Sequence, residues 1–362
     1  MEQPERYKDG RDPVLDFWRG ISIILVIESH LVFFRFHSFF VSLGNTAYEK
    51  NFIRAFLTVS WHAGDVGVKI FLVISGFLIT KILISELDRT GSISIAKFYL
   101  RRFFRIIPAY AGYLLGMGLF AALGWTATID RSNISCIAFL ANASATPCTW
   151  NLLHLWSLSV EEQFYAVWPL FILLLPALRR TPTIAALCVL FSVFSAFKIF
   201  FMHGWIDNGW AFASIAGGAL YAASSTVRRY VNIPSAPLTG VSALFMGILF
   251  LVSAKTSHAP EQFAYALLSS FAILRLIMAL RHIPRFLASR AFHYMRNIGL
   301  ASYSLYLWQQ PFTNNPAFYR DSSPLSMPLF LVPVALISYH MLEKPIHSWS
   351  SARFRTYNNG NY

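Results

Sequence analysis

Long apolar segments are the feature that most constrains the fold of this chain. A helix that crosses a bilayer needs about 20 mainly apolar residues, because the hydrocarbon core is about 30 Å thick and each residue rises about 1.5 Å. The 362-residue chain is 56% hydrophobic and only 13% charged, outside the usual composition of a soluble domain. About ten segments meet the length requirement, at roughly 15–35, 64–85, 106–124, 158–178, 182–203, 210–224, 237–254, 262–281, 298–315 and 326–342. The sequence therefore predicts an all-α, polytopic integral membrane protein of about ten transmembrane helices.

The distribution of basic residues predicts the orientation. With a cytoplasmic N-terminus, the cytoplasmic segments hold about 21 of the 30 Lys and Arg, which by the positive-inside rule favours two cytoplasmic termini. The net charge of +13 is dispersed over loops that flank the membrane, so it indicates topology rather than nucleic-acid binding. The first apolar segment lacks a small-residue cleavage site, and we expect a retained helix rather than a signal peptide. The expected organisation is a cytoplasmic segment 1–13, a transmembrane domain 14–345 and a cytoplasmic tail 346–362.

Three cysteines are too few for a disulfide framework or a zinc site, and no metal is expected. Cys136 and Cys148 share the loop that follows the third apolar segment, which is predicted to be extracytoplasmic. A disulfide between them and two free thiols both remain open.

Asp16, Arg19 and His30 are ionisable residues in or at the edge of the first apolar segment. Such groups usually face a bundle interior or a cavity. Arg19 and His30 are eleven positions apart, so both project from nearly one helix face, about 16 Å apart along the axis. A desolvated histidine tends to stay neutral, the form that can accept a proton. The two residues can be a functional pair, or an interfacial anchor and a packed histidine.

Two further blocks follow along the chain. The second apolar segment contains the step Ser75-Gly76, which permits close approach of either another helix or a substrate. After it come Arg101, Arg102 and Arg105. Arg101 and Arg105 are one turn apart, a spacing that suits a phosphate-rich ligand, although cytoplasmic arginines also anchor helices to anionic lipid.

The fourth apolar segment is introduced by a polar block that ends in two adjacent glutamates, Glu161 and Glu162. Ser159 and Glu162 have the spacing of a capping box. Two glutamates exceed what capping requires, so we expect at least one of them to hydrogen-bond a polar substrate or to orient a histidine.

Taken together, six blocks in this order resemble the signature of membrane acyltransferase family three. They are Arg19–His30, Gly67–Thr80, Phe98–Pro108, His154–Tyr165, Ala301–Pro311 and Tyr339–Pro345. The resemblance spans nearly the whole chain. Two positions depart from it, since Gln309 stands where relatives often have histidine and Lys69 where they often have an acidic or polar residue.

The resemblance implies a ten-helix, multi-pass protein of the cell inner membrane, in a stand-alone form without the hydrolase-like domain that some members carry. It implies O-acylation, chiefly O-acetylation, of an extracytoplasmic carbohydrate such as a surface polysaccharide or lipooligosaccharide. The donor would be acetyl-CoA or another cytoplasmic acyl-CoA, used as a co-substrate. The expected partners are this donor, the carbohydrate and membrane lipids, with no nucleic acid.

The same resemblance assigns roles to residues. His30 would be the general base or a transient acyl carrier, and Arg19 would hold the donor. Glu161 and Glu162, expected near the outer surface, would bind or orient the sugar. The remaining predicted contacts are Arg101, Arg102, Arg105 and Ser75 for the donor, and Ser157, Ser159 and Tyr303 for the acceptor.

Two alternative functions remain. A carrier or flippase of a lipid-linked sugar or small metabolite would also place charges within the membrane, but the sequence shows no clear inverted repeat. An acyltransferase could instead act on a polyketide sugar. The acceptor, the acyl chain length and the oligomeric state do not follow from the sequence.

Overall fold

A computed structural model describes residues 12–44, 46–143, 148–174, 209–233, 235, 237–244, 259–313 and 328–356. Helices and turns form these ranges, and no strand occurs among them. Three helices are long and apolar enough to cross a membrane, Glu49–Thr90, Ile95–Ala122 and Pro328–Arg353. The all-α membrane fold is thereby confirmed, whereas the ten spans and the cytoplasmic termini stay predictions. The predicted span 182–203 lies outside the described residues, and 237–254 is described only as far as 244.

The principal helices are numbered here in chain order. They are α1 Pro13–His30, α2 His37–Ser42, α3 Ala47–Thr90, α4 Ile95–Ala122, α5 Ile134–Ile137, α6 Trp150–Leu153, α7 Leu155–Leu174, α8 Gly209–Ala223, α9 Ser225–Val231, α10 Ala259–Leu280, α11 Pro284–Leu287, α12 Arg290–Leu300, α13 Ser302–Thr313, α14 Leu331–Ser338 and α15 Lys344–Thr356. Two π-helical turns extend α1 and α14, Leu31–Arg35 and Tyr339–Glu343. The predicted span 298–315 is divided between α12 and α13, which meet at Ala301.

Helix α1 packs between α3 and α12. It begins at Pro13, whose missing N–H is not needed in the first turn, and the Asp12 side chain accepts a hydrogen bond from the Val14 amide at 3.1 Å. Its contact with α12 is backbone to backbone, since a Cβ on Gly299 would lie 1.7 Å from the Asp16 carbonyl oxygen. This contact fixes the part of α1 that carries Asp16 and Arg19.

Helix α3 is longer than the predicted segment 64–85. Thr46 and Glu49 form a capping box at its start, and Gly91, with a φ of 73°, caps its end after Thr90. A Cβ on Gly76 would lie 1.9 Å from the Ile215 carbonyl oxygen of α8. Gly76 therefore serves close helix packing, the first of the two interpretations of the Ser75-Gly76 step.

The chain stays helical across the predicted boundary at residue 345, because α15 begins at Lys344. Helix α15 packs along α4, where the rings of Phe104 and Trp349 lie 5.1 Å apart. In the chain after α4, Cys136 and Cys148 form a disulfide with a Cα–Cα distance of 6.0 Å. Of the two alternatives for these thiols, the structure contains the bonded one.

Candidate active site

One cavity gathers most of the polar residues that the sequence singled out. It lies among α1, α3, α4, α7 and α13 and encloses about 950 Å³ of space, the open mouth included. Seven of the predicted residues line it: Arg19, Ser75, Arg102, Arg105, Ser157, Glu161 and Tyr303.

Three arginines supply the positive charge of the cavity. The Arg19 guanidinium lies 3.5 Å from the Asp16 carboxylate, and the Arg102 guanidinium lies 4.1 Å from the centroid of the Tyr165 ring. Within the described part of the chain, neither Arg102 nor Arg105 forms an ion pair. A guanidinium that is not paired with a carboxylate can bind a phosphate in bidentate fashion.

A carboxylate stands beside these arginines. The hydroxyls of Ser75 and Tyr165 both donate to the Glu161 Oε1, and Glu161 is close enough to Arg19 for their charges to interact. The sequence analysis expected Glu161 near the outer surface, apart from the donor arginines, whereas the structure brings it into the same cavity as Arg19, Arg102 and Arg105; its contact with the sugar stays a prediction. Helix α7 already begins at Leu155, so residues 157, 161 and 165 share the face that turns into the cavity.

Other positions of α7 point away from the cavity, and two predicted residues lie there. Ser159 is fully buried and donates to the Leu155 carbonyl oxygen at 2.9 Å, and it accepts from the Ala141 amide at 3.2 Å. The predicted capping box is therefore wrong, because Ser159 lies within α7. Glu162 does not line the cavity either, and its Oε1 is buried without a hydrogen-bond partner among the described residues. Their predicted roles have no support from this geometry.

Arg101 also lies outside the cavity. Its guanidinium pairs with the Glu86 carboxylate at 3.5 Å, and its side chain is 36% exposed. The sequence predicted that Arg101 and Arg105 act together, but the cavity takes Arg102 and Arg105, which are three residues apart on α4. A partner on α3 decides which way Arg101 turns.

His30 occupies a second polar cluster on the same helix as Arg19. It does not line the cavity. The Gln309 side chain lies beside the His30 ring, and Asp65 and His154 are close enough for their charges to interact with it. Gln309 is fully buried. The departure from the family pattern thus falls on a direct neighbour of the predicted base.

Sequence reasoning missed several residues of the cavity. Tyr165, Tyr306, Glu343 and His347 line it, and the Ser304 hydroxyl donates to the Glu343 carboxylate at 2.8 Å. Tyr165 could have been found from its spacing of four residues after Glu161. Glu343 and His347 share that spacing, but His347 falls beyond the predicted domain boundary.

Comparisons with known proteins identify relatives of this chain. The family model of an acyltransferase domain matches residues 12–340. The chain is 26% identical over 346 residues to the peptidoglycan O-acetyltransferase OatA of Listeria monocytogenes, covering 86% of this chain and 51% of that protein. It is 29% identical over 332 residues to the O-acetyltransferase OatA of Staphylococcus aureus, covering 80% of this chain and 54% of that protein. The chain thus spans about half the length of these curated relatives. No solved structure matches it.

Proposed function

This chain belongs to membrane acyltransferase family three, and from this premise we propose that it is a membrane O-acetyltransferase. It takes the acetyl group from cytoplasmic acetyl-CoA and transfers it to a hydroxyl of an extracytoplasmic carbohydrate. The chain matches about half the length of the curated relatives. Their activity is therefore proposed for this chain.

The observation that carries the proposal is the cavity in which Arg102 and Arg105 stand without ion pairs among the described residues. Coenzyme A carries several phosphate charges, and arginine forks are the side chains best suited to bind them. Arg19 joins them from α1, held by Asp16. These three arginines hold the donor, and Glu161 keeps Ser75 and Tyr165 in place around it.

Acyl transfer from a thioester to a hydroxyl needs a base for the hydroxyl proton and positive charge or donors for the developing oxyanion. His30 takes the proton as the hydroxyl oxygen attacks the acetyl carbonyl. The C–O bond forms, the C–S bond breaks, and the proton passes from His30 to the thiolate of coenzyme A. In the alternative two-step route, a ring nitrogen of His30 attacks the thioester carbonyl, the C–S bond breaks and the thiolate of coenzyme A takes up the ring proton. The acceptor hydroxyl then attacks the acetyl carbon, the C–N bond breaks and the imidazole leaves with the hydroxyl proton.

The proposed acceptor is a glycan of the cell wall, because the Listeria relative is named for O-acetylation of peptidoglycan. Lipooligosaccharide and other surface polysaccharides contain the same hydroxyl chemistry. They serve as competing acceptors in the test.

The test is incubation of the purified protein with radiolabelled acetyl-CoA and each acceptor in turn. We expect label in a peptidoglycan fragment as an alkali-labile ester, with no label when the acceptor is left out. Transfer to another glycan alone would change the acceptor but keep the reaction. Movement of an unlabelled lipid-linked sugar across proteoliposomes, with no label transferred to any acceptor, would identify a flippase and overturn the proposal.

A further inference from the structure

The cavity that contains the three arginines also has an apolar section, to which the proposed reaction has so far given no role. This section is formed by Val68, Phe71 and Leu72 of α3 and Leu158 of α7, all of which line the cavity. Leu72 and Leu158 are buried, and Phe71 packs against the core cluster that contains Leu158. Apolar side chains offer no hydrogen bonds to a phosphate, so the section suits an uncharged part of a ligand.

Two hydrogen bonds give the direction of α3 relative to α7. The Ser75 hydroxyl donates to the Glu161 carboxylate. Farther along both helices, the Trp168 indole N–H donates to the Thr80 hydroxyl at 2.8 Å. Higher residue numbers on one helix therefore face higher numbers on the other, and the two helices run in the same direction.

The apolar section and Arg102 lie on opposite sides of the bond between Ser75 and Glu161. The Arg102 guanidinium lies 4.1 Å from the centroid of the Tyr165 ring, and this tyrosine follows the bonded glutamate by four residues. Leu158 precedes the same glutamate by three residues, so it is about 10 Å from Tyr165 along the α7 axis. On α3, the apolar residues likewise precede the bonded serine.

His30 lies beyond the apolar section on that same side. The Ser22 hydroxyl donates to the Gly67 carbonyl oxygen, and the Ser29 hydroxyl donates to the Trp61 carbonyl oxygen at 3.2 Å. Helices α1 and α3 therefore run in opposite directions, and His30 is level with the part of α3 that precedes the apolar section. A donor that extends from the arginines to the predicted base thus passes the apolar section.

We propose that Val68, Phe71 and Leu158 contact the acyl chain of the donor and select acetyl over longer chains. This inference rests on the proposed acetyl transfer. The Cα–Cβ bonds of a helix tilt toward its N-terminus, which for α3 and α7 is the direction of His30, so these side chains lean toward the reacting end of the donor. Acetyl ends in one methyl group, whereas the added methylene groups of a longer chain would have to displace close-packed side chains, which is unfavourable.

Phe71→Ala is the informative variant, because alanine removes the whole ring. The measured quantity is the ratio of kcat/KM for butyryl-CoA to kcat/KM for acetyl-CoA, with the same glycan acceptor. One methylene group more or less in a fitted apolar pocket changes such a ratio about 10-fold to 200-fold. We expect Phe71→Ala to raise the ratio by about this factor and Phe71→Leu to raise it less. The inhibition constant of free coenzyme A, which has no acyl chain, should stay unchanged.

Phe103→Ala supplies the matched control. Phe103 lies on α4, is 52% exposed and does not line the cavity, so its variant should keep the wild-type ratio. Both constants are measured on one preparation, and their ratio therefore does not depend on the fraction of enzyme that is folded. An unchanged ratio in a Phe71→Ala enzyme that still transfers acetyl, or an equal shift in Phe103→Ala, would overturn the inference.

A second variant and the wild type complete the test. If Phe71→Ala does not fold, Leu158→Ala replaces it from the facing helix; its ratio should rise in the same way, and an unchanged ratio would count against the inference. A wild-type enzyme that uses butyryl-CoA as well as acetyl-CoA would refute the selection alone, since acetyl transfer itself stands. Failure of the wild type to acetylate any glycan refutes the proposed function, and the inference falls with it.

Discussion

Replacement of Arg105 by glutamine tests whether the cavity holds the phosphates of the donor. Arg105 lines the cavity without an ion pair among the described residues, so glutamine removes a positive charge from the cavity without breaking an ion pair of those residues. We expect the Michaelis constant for acetyl-CoA to rise and the constant for the glycan to stay the same.

The size of the effect follows from the kind of bond that is lost. A hydrogen bond to a charged group contributes about 1.5–3 kcal/mol, and about 1.4 kcal/mol corresponds to a tenfold change in affinity. The Michaelis constant for acetyl-CoA should therefore rise about 10-fold to 150-fold. Arg105→Lys keeps the charge but loses the bidentate fork, and we expect an intermediate value.

Arg101 provides the matched control on the same helix. It pairs with Glu86 outside the cavity and is 36% exposed, and such a surface pair contributes only about 0.2–1 kcal/mol to stability. Arg101→Gln should leave both Michaelis constants unchanged. The assay is steady-state transfer of radiolabelled acetate at varied acetyl-CoA and fixed glycan, then the reverse. Equal effects of the two glutamine variants, or a change in the glycan constant alone, would refute donor binding by Arg105.

Three further predictions concern the chemistry, the packing and the topology. His30→Ala should bind acetyl-CoA normally but transfer acetyl about 100-fold to 10,000-fold more slowly, whereas Arg19→Ala should bind the donor poorly. Equilibrium binding measures donor affinity and steady-state turnover measures transfer; near wild-type turnover of His30→Ala would remove this histidine from the mechanism. Gly76→Ala should lower the free energy of unfolding by about 1–3 kcal/mol, because its Cβ would lie 1.9 Å from the Ile215 carbonyl oxygen. The control Gly118→Ala, whose Cβ would have nothing within 4 Å, should be neutral or stabilising, and equal shifts of the two variants in a thermal unfolding scan would contradict the packing. A membrane-impermeant thiol reagent should label Cys136 and Cys148 in intact cells only after reduction, since they form a disulfide; labelling confined to inverted vesicles would overturn the predicted topology.

The sequence predicted the helices of this protein better than the directions of its side chains. The lengths of the apolar segments alone located α1, α4, α8 and α10, because a helix that crosses the bilayer needs an apolar stretch along its whole length. It could not show that α3 continues from Thr90 back to Ala47, since the residues before 64 are more polar and are ordered by packing against α2 and the turn after α1. The break between α12 and α13 at Ala301 falls within the predicted span 298–315.

Side-chain direction depends on neighbours that a one-dimensional pattern does not contain. Arg101 and Arg102 are adjacent and chemically identical, yet Glu86 turns the first outward while Tyr165 holds the second inside. The two glutamates differ in the same way, since only Glu161 meets the hydroxyls of Ser75 and Tyr165. The sequence therefore identified the blocks that form the cavity, and tertiary contacts selected the residues within them.

The spacing of Arg19 and His30 matters because the two residues lie in different parts of the candidate site. Arg19 faces the cavity and His30 faces the cluster of Gln309, and α1 separates them by about 16 Å along its axis. A donor held by its phosphates at Arg105 and Arg19 must extend its thioester toward His30 for transfer to occur. Tyr306 lines the cavity beside Ser157, and its ring lies 5.2 Å from that of His154. In the proposed reaction, the donor charge therefore lies at one end of α1 and the proton transfer at the other, and this helix sets the distance between them.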